Sequence, residues 1–184
     1  FSLGPDGYAQ YMVVHHKDMA LVKLFDHQAE ARCKFYDSDF CCLFFEMGCG
    51  KTITALSIIK DKYLKGLIKR VLVVAPNDVH RQWYNDLVSP NPEVGTVFED
   101  PIHVQCVGGR GGGKSFVEPP DDMLAIATVN IDTMSTAKWT RVVEWTLQDQ
   151  SMIVIDEATS IKNKDSLRSQ RMIYGFNHVA TQRK

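Results

Sequence analysis

The stretch Phe40-Cys-Cys-Leu-Phe-Phe-Glu-Met-Gly-Cys-Gly-Lys-Thr-Ile53 decides how the rest of this chain is read. An apolar run over 40–45 stops at Glu46-Met47, and Gly48 and Gly50 flank a turn. Lys51-Thr52 then open a segment with Ile53, Leu56, Ile59 and Tyr63 at helical spacing. A buried strand, a glycine-rich loop and a helix start, in that order, make a phosphate cradle. Backbone N–H groups of Met47, Gly48, Cys49 and Gly50 and of the helix N-terminus face the anion, and small residues let it approach. Lys51 supplies a point charge at the β/γ-phosphates, and the Thr52 hydroxyl a ligand for Mg²⁺.

The full phosphate-loop spacing asks for glycine where Phe45 stands. A literal match falls elsewhere, at Gly108-Gly-Arg-Gly-Gly-Gly-Lys-Ser115. The residues C-terminal to each match separate the two. Pro119-Pro120 soon after Ser115 leave no room for a helix, whereas Thr52 leads into one. A phosphate loop without its helix lacks half the binding site, so the degenerate match is preferred. The loop 108–115 then reads as a flexible surface insertion, or as a contact to a nucleic-acid backbone through Arg110 and Lys114.

Composition sets broad limits. The chain has 184 residues, 45% hydrophobic and 23% charged, with net charge −1. That suits one soluble domain over 1–184 and gives no overall electrostatic argument for nucleic acid. The chain starts at Phe1 rather than Met and reads as a fragment. It has no signal peptide and no apolar run long enough to cross a bilayer, so an intracellular setting is expected: cytoplasmic, or nuclear in a eukaryote. Five cysteines without metal spacing read as reduced and buried. His15-His16 near Asp18 reads as surface histidine rather than a metal site. Between 160 and 184, six Lys/Arg stand against the single acid Asp165, a solvated helix face or a DNA-facing one.

In chain order, 1–22 form an irregular lead-in, with a short strand at Tyr11-Met-Val-Val14. Leu24-Phe-Asp-His-Gln28 opens a segment that runs to about Tyr36 and reads as helical, with Ala29 and Ala31. The phosphate helix covers 52–65 and ends at Gly66. Strands come next at Arg70–Ala75, Ile102–Val107, 123–128 and Ser151–Ile155. Helices begin at Asp78, as cap, and at 136–148. Alternation of this kind predicts an α/β fold, a three-layer α/β/α sandwich with a mainly parallel sheet and ligands at the carboxyl ends of its strands. Trp83, Trp139 and Trp145 sit at spacings that favour core packing over base stacking.

Met152-Ile-Val-Ile155 followed by Asp156-Glu157 is a Walker-B pattern: Asp156 holds Mg²⁺ through water and Glu157 orients the attacking water. With both halves of the site in hand, a family resemblance emerges. Phe45-Glu-Met-Gly-Cys-Gly-Lys-Thr52 is similar to the phosphate loop of the Swi/Snf-type ATPases, within the superfamily-two helicases and translocases, which tolerate a residue like Phe45. Asp156-Glu-Ala-Thr-Ser-Ile-Lys-Asn163 resembles their DEAH-like box with its Ile-Lys-Asn tail. Leu24–Gln28 resembles the Q-motif, Val73-Val-Ala-Pro76 with Gln82-Trp83 resembles motif Ia, and Ala127-Thr128-Val-Asn130 stands where the next DNA-contacting motif falls. The matches span 24–163.

The resemblance implies a RecA-like lobe of a P-loop NTPase that binds ATP and Mg²⁺, with Lys51, Asp156 and Glu157 catalytic and Gln28 on the adenine edge. It implies DNA as partner, double-stranded rather than single-stranded, touched through Pro76, Arg81, Arg110, Lys114 and Thr128. Thr159 departs from the usual histidine, which bears on coupling. The chain ends where the motif III strand would begin, and the second RecA-like lobe with its arginine finger would lie beyond it. Weak hydrolysis by this piece alone is therefore expected. A strand-separating helicase, a restriction-type motor subunit and a non-hydrolysing nucleotide-gated module share the same residues. An unrelated P-loop kinase or AAA-type ATPase fits Gln28 and Ile161-Lys-Asn163 less well.

Overall fold

The computed structural model describes residues 2–3, 9–108, 116–120, 122–148, 150–157, 163 and 165–175. Its elements are β1 (Ser2–Leu3), β2 (Ala9–Val14), α1 (Asp26–Phe35), α2 (Lys51–Leu64), β3 (Arg70–Ala75), α3 (Asn77–Val88), β4 (Ile102–Val107), β5 (Leu124–Asn130), a 3₁₀ helix (Ile131–Ser135), α4 (Trp139–Thr146), β6 (Ser151–Ile155), α5 (Leu167–Gln170) and a π-turn (Arg171–Gly175).

The strands form one sheet in the order β1-β2-β4-β5-β3-β6. The four strands β4, β5, β3 and β6 run parallel, and β2 and β1 complete the far edge antiparallel. Every residue of β3, β4 and β5 is buried, as expected where helices cover both faces of a parallel sheet. Period-two alternation sorts the side chains. Val71 and Val73 of β3 join Val104 and Ile126 against Leu56 and Ile59 of α2 and Trp83 and Leu87 of α3. Leu72 and Val74 face the other way, with Ala125, Ala127 and Val129, onto Met134, Val142, Val143 and Trp145. The fold is thus an α/β lobe of three layers. Trp83 and Trp145 are core residues, 3% and 2% exposed.

Registry lines up the functional end. Val74 pairs with Val129 and Ile155, and Ala75 with Asn130, so β3, β5 and β6 finish side by side. α3 leaves directly from β3 through Pro76.

Local expectations need correction in three segments. The run 40–45 is not a strand, although its exposure still alternates in strand fashion. A ladder needs a neighbour at about 4.8 Å. Among the described strands β6 is the last on this side, and a cavity of about 670 Å³, lined by Phe40, Cys41, Met152 and Ile153, lies between the two. Phe40 and Phe44 accordingly stand 86% and 93% exposed, and Cys42, like Cys33, is exposed rather than buried. α3 is capped by Pro76, with Asp78 inside its first turn. The segment 136–148 is entered from a 3₁₀ helix that begins at Ile131, and it becomes α-helical only from Trp139.

Candidate functional site

The glycine loop and the start of α2 have the geometry their composition asks for. Cys49 N–H donates to the Glu46 carbonyl at 3.3 Å, closing a turn. Gly48 and Gly50 have φ of +81° and +75°, a region that costs an L side chain about 1–2 kcal/mol. α2 has no side-chain cap and no acid in its first turn. Its first N–H groups lack intrahelical partners and sit at the positive end of a 14-residue helix dipole. That donor set suits an anion.

Gln28 holds the loop from behind. Its Oε1 accepts from Phe25 N–H at 3.0 Å, and its Nε2 donates to the Cys49 carbonyl at 3.1 Å. The residue is 4% exposed, so its amide is largely committed to the loop. His27 also lies 3.1 Å from the Cys49 carbonyl through Nε2, with its ring edge-on to Phe45. A Cβ on Gly50 would overlap the Gln28 amide, so this glycine is required for space as well as for φ. Arg32 of α1 clamps Asp61 of α2 with two hydrogen bonds of 2.6 Å, which raise the guanidinium pKa further. α1 therefore carries Gln28 and His27 to the loop on a fixed mount.

Lys51 bends back over the loop: its Nζ donates to the Phe45 carbonyl at 2.6 Å and the Glu46 carbonyl at 3.0 Å. The ammonium thereby lies along the loop rim and keeps one further donor. Thr52 follows on the first turn of α2. A cavity of about 220 Å³ behind Gly50 and Thr52 is lined mainly by Val22, Leu56, Leu87, Val97 and Phe98. Such walls do not solvate a triphosphate, and we place no phosphate there.

Asp156 stands at the end of β6, its N–H donating to the Val74 carbonyl at 3.0 Å. Its Oδ1 accepts from the Glu157 N–H at 2.9 Å and its Oδ2 from the Trp83 indole at 2.8 Å. Glu157 has φ +52° and is exposed, so the chain turns off the sheet there. The structure thus brings Gln28 and Lys51 together at the loop and fixes Asp156 through α3. Sequence reasoning missed His27 and the Trp83 indole. His27 was legible only as a neighbour of Gln28, and nothing in the spacing of Trp83 reveals where its N–H points.

Pro76 and Arg81, at the start of α3, are half-buried. Beside them Asn130 Nδ2 donates to Asn77 Oδ1 at 2.9 Å, tying the end of β5 to the start of α3. Thr128 is a correction: it is fully buried within β5, between Val73 and Cys106, and cannot meet a duplex. Arg110 and Lys114 lie outside the described residues, as do Thr159 and Ile161-Lys162. In the basic tail, Arg168 pairs with Asp132 at 2.6 Å, and Arg171 donates to the Met134 and Thr136 carbonyls and covers Trp139. These two cations serve the fold. His16 is likewise engaged, with Nε2 2.9 Å from the Leu87 carbonyl.

A glycine loop on a helix start and a fixed carboxylate at a parallel strand end define a nucleotide-binding α/β lobe of the RecA type. Comparison with known proteins makes this particular. The SNF2-related domain matches residues 11–180, and the chain belongs to that family. Its members are nucleic-acid-associated ATPases, in agreement with the resemblance its motifs carry. RNA polymerase-associated protein RapA of Actinobacillus pleuropneumoniae, in serotypes 3, 5b and 7, is 26% identical to this chain over 113 residues. That match covers 61% of this chain and 12% of the relative, so the chain spans a small part of those proteins. Among the described residues no helix is long and apolar enough to cross a membrane.

Proposed function

We propose that this chain is the ATP-binding lobe of a DNA-dependent SNF2-type motor, one that moves along duplex DNA when joined to a second RecA-like lobe. The observation that carries the reading is the uncapped start of α2, held in place by Gln28 through the Cys49 carbonyl, with Lys51 lying on its rim. In this reading the N–H groups of Met47, Gly48 and Gly50 bind phosphate oxygens, while the Cys49 N–H closes the turn on Glu46. Lys51 transfers donors from the Phe45 and Glu46 carbonyls to the terminal phosphates. The adenine edge meets what remains of the Gln28 amide's hydrogen-bonding capacity, while its other contacts keep the loop in shape.

Thr52 and, through water, Asp156 would hold Mg²⁺, which when bound neutralises charge on the phosphates. The donor set fits: a hydroxyl at the helix start and a carboxylate whose contacts among the described residues come from neutral N–H groups. Glu157, at the exposed turn after β6, orients a water for attack. The DNA backbone lies across the start of α3, near Pro76 and Arg81, and Arg110 and Lys114 add phosphate contacts. An arginine finger supplied by a second RecA-like lobe would speed hydrolysis.

Mg-ATP binding by the chain, with Lys51→Ala and Lys114→Ala side by side, tests the assignment. Loss in Lys51→Ala alone supports it. Loss in Lys114→Ala instead makes the literal glycine motif the real one and removes the reading. DNA-stimulated hydrolysis and strand displacement by a protein carrying both lobes then separate translocation from unwinding.

A further inference from the structure

Trp83 is the one buried side chain of α3 whose polar atom reaches the strand-end carboxylate. A buried indole N–H must find an acceptor, and the acceptor here is a charged side chain on a different element, 73 residues away in sequence. Ordinary core packing does not call for that partner.

We propose that Trp83 is a positioning residue for Asp156, setting the direction in which this carboxylate presents its charge to a divalent cation. The inference rests on the nucleotide reading of the site. Three contacts fix Asp156. Its N–H is held by Val74, its Oδ1 by the Glu157 N–H, and its Oδ2 by the Trp83 indole. The first two involve backbone groups within or beside the strand end, and they leave the far oxygen to swing about the side-chain torsions. The indole stops that motion. Each oxygen keeps lone-pair capacity for a cation or its water.

The choice of donor matters. A lysine or arginine in the same place would hold the carboxylate equally well but would neutralise it and repel a metal ion. The indole N–H is a neutral donor, so Asp156 keeps its full charge. Trp83 is itself 3% exposed and packed among Leu87, Val73 and Ile59, so its ring cannot follow a moving carboxylate. Partners of this outer kind are worth about 10–100-fold in metal affinity where they have been removed from metal sites.

The test uses this chain with ¹⁵N-labelled tryptophan and a non-hydrolysable ATP analogue. Binding of the analogue is measured in EDTA and across a Mg²⁺ titration, for the native chain and for Trp83→Phe. The expected result is analogue affinity in EDTA within about twofold of native and a Mg²⁺ midpoint raised about 10–100-fold. A merely structural tryptophan would weaken both conditions alike, or neither, and either result overturns the proposal while leaving the nucleotide site standing.

The native chain gives an independent answer if Trp83→Phe does not fold. With the analogue present, Mg²⁺ should move the Trp83 indole resonance while those of Trp139 and Trp145 stay put, and Asp156→Asn should abolish that movement. An unmoved Trp83 resonance refutes the proposal. If native binding of the analogue does not respond to Mg²⁺ at all, the nucleotide reading fails and this one with it.

Discussion

Gly50→Ala should be far more damaging than Gly48→Ala, although both glycines belong to one loop and both have left-handed backbones. At Gly48, with φ +81°, a Cβ meets nothing within 4 Å, so the cost is the backbone term alone, about 1–2 kcal/mol. At Gly50, with φ +75°, the same Cβ overlaps Gln28 Nε2 and comes within 3.3 Å of its Cδ. The amide must move, and it gives up its bonds to Phe25 N–H and the Cys49 carbonyl. At about 0.5–1.5 kcal/mol net for each bond, Gly50→Ala should cost about 2–5 kcal/mol in all. Urea unfolding of the two variants measures the difference. A third protein sharpens it: in a Gln28→Ala background the overlap disappears, and Gly50→Ala should cost only about 1–2 kcal/mol. Equal losses for Gly48→Ala and Gly50→Ala, or an unchanged loss in the Gln28→Ala background, would refute the claim that Gln28 braces the loop.

Lys51→Ala should abolish Mg-ATP binding and Lys114→Ala should leave it within about twofold; isothermal titration decides, since a glycine motif with no helix behind it lacks half a phosphate site. Burial pushes the His80 ring below its ordinary pKa, and His103 moves the same way. The unfolded chain therefore takes up these protons first, so their contribution is whole above about pH 6.5 and is lost as pH falls toward the folded values. Each histidine should add up to about 1.4 kcal/mol per pH unit to the fall in stability there, and His80→Gln should flatten the slope by about one proton. A slope unaltered in that variant counts against a buried neutral His80. The Arg32–Asp61 clamp, with Arg32 42% and Asp61 18% exposed, should show a coupling of about 0.5–1 kcal/mol in a double-mutant cycle, declining with added salt. No coupling would mean that α1 is held to α2 by packing alone.

Sequence reasoning located most of the scaffold because its signals are local. The runs Arg70–Ala75, Ile102–Val107 and Ser151–Ile155 matched their strands residue for residue. Val71–Ala75 is unbroken apolar because β3 is buried on both faces, β4 interleaves its apolar residues with the buried His103 and Gln105, and β6 is half-buried at the edge of the described sheet. The glycine pair fixed the turn, and helical spacing after Thr52 fixed α2. The run 40–45 carried the same apolar signal and yet forms no ladder, because a strand is defined by its neighbours and none of the described strands lies beside it. Thr128 fails for a similar reason: period two says that alternate residues of β5 differ in direction, but with both faces covered neither direction leads to solvent.

By itself, the sequence determined that this protein is a parallel α/β lobe with a phosphate-loop helix and an acidic strand end, and it identified the family through those motifs. Both are read from local patterns, apolar runs and motif spacings that each lie within a short stretch of the chain. Only the tertiary structure decided that Gln28 braces Gly50, that Lys51 rests on the Phe45 and Glu46 carbonyls, and that the Trp83 indole holds the Asp156 carboxylate. Those relations join side chains across layers of the fold. Their directions depend on how the helices settle on the sheet, and no spacing along the chain encodes that.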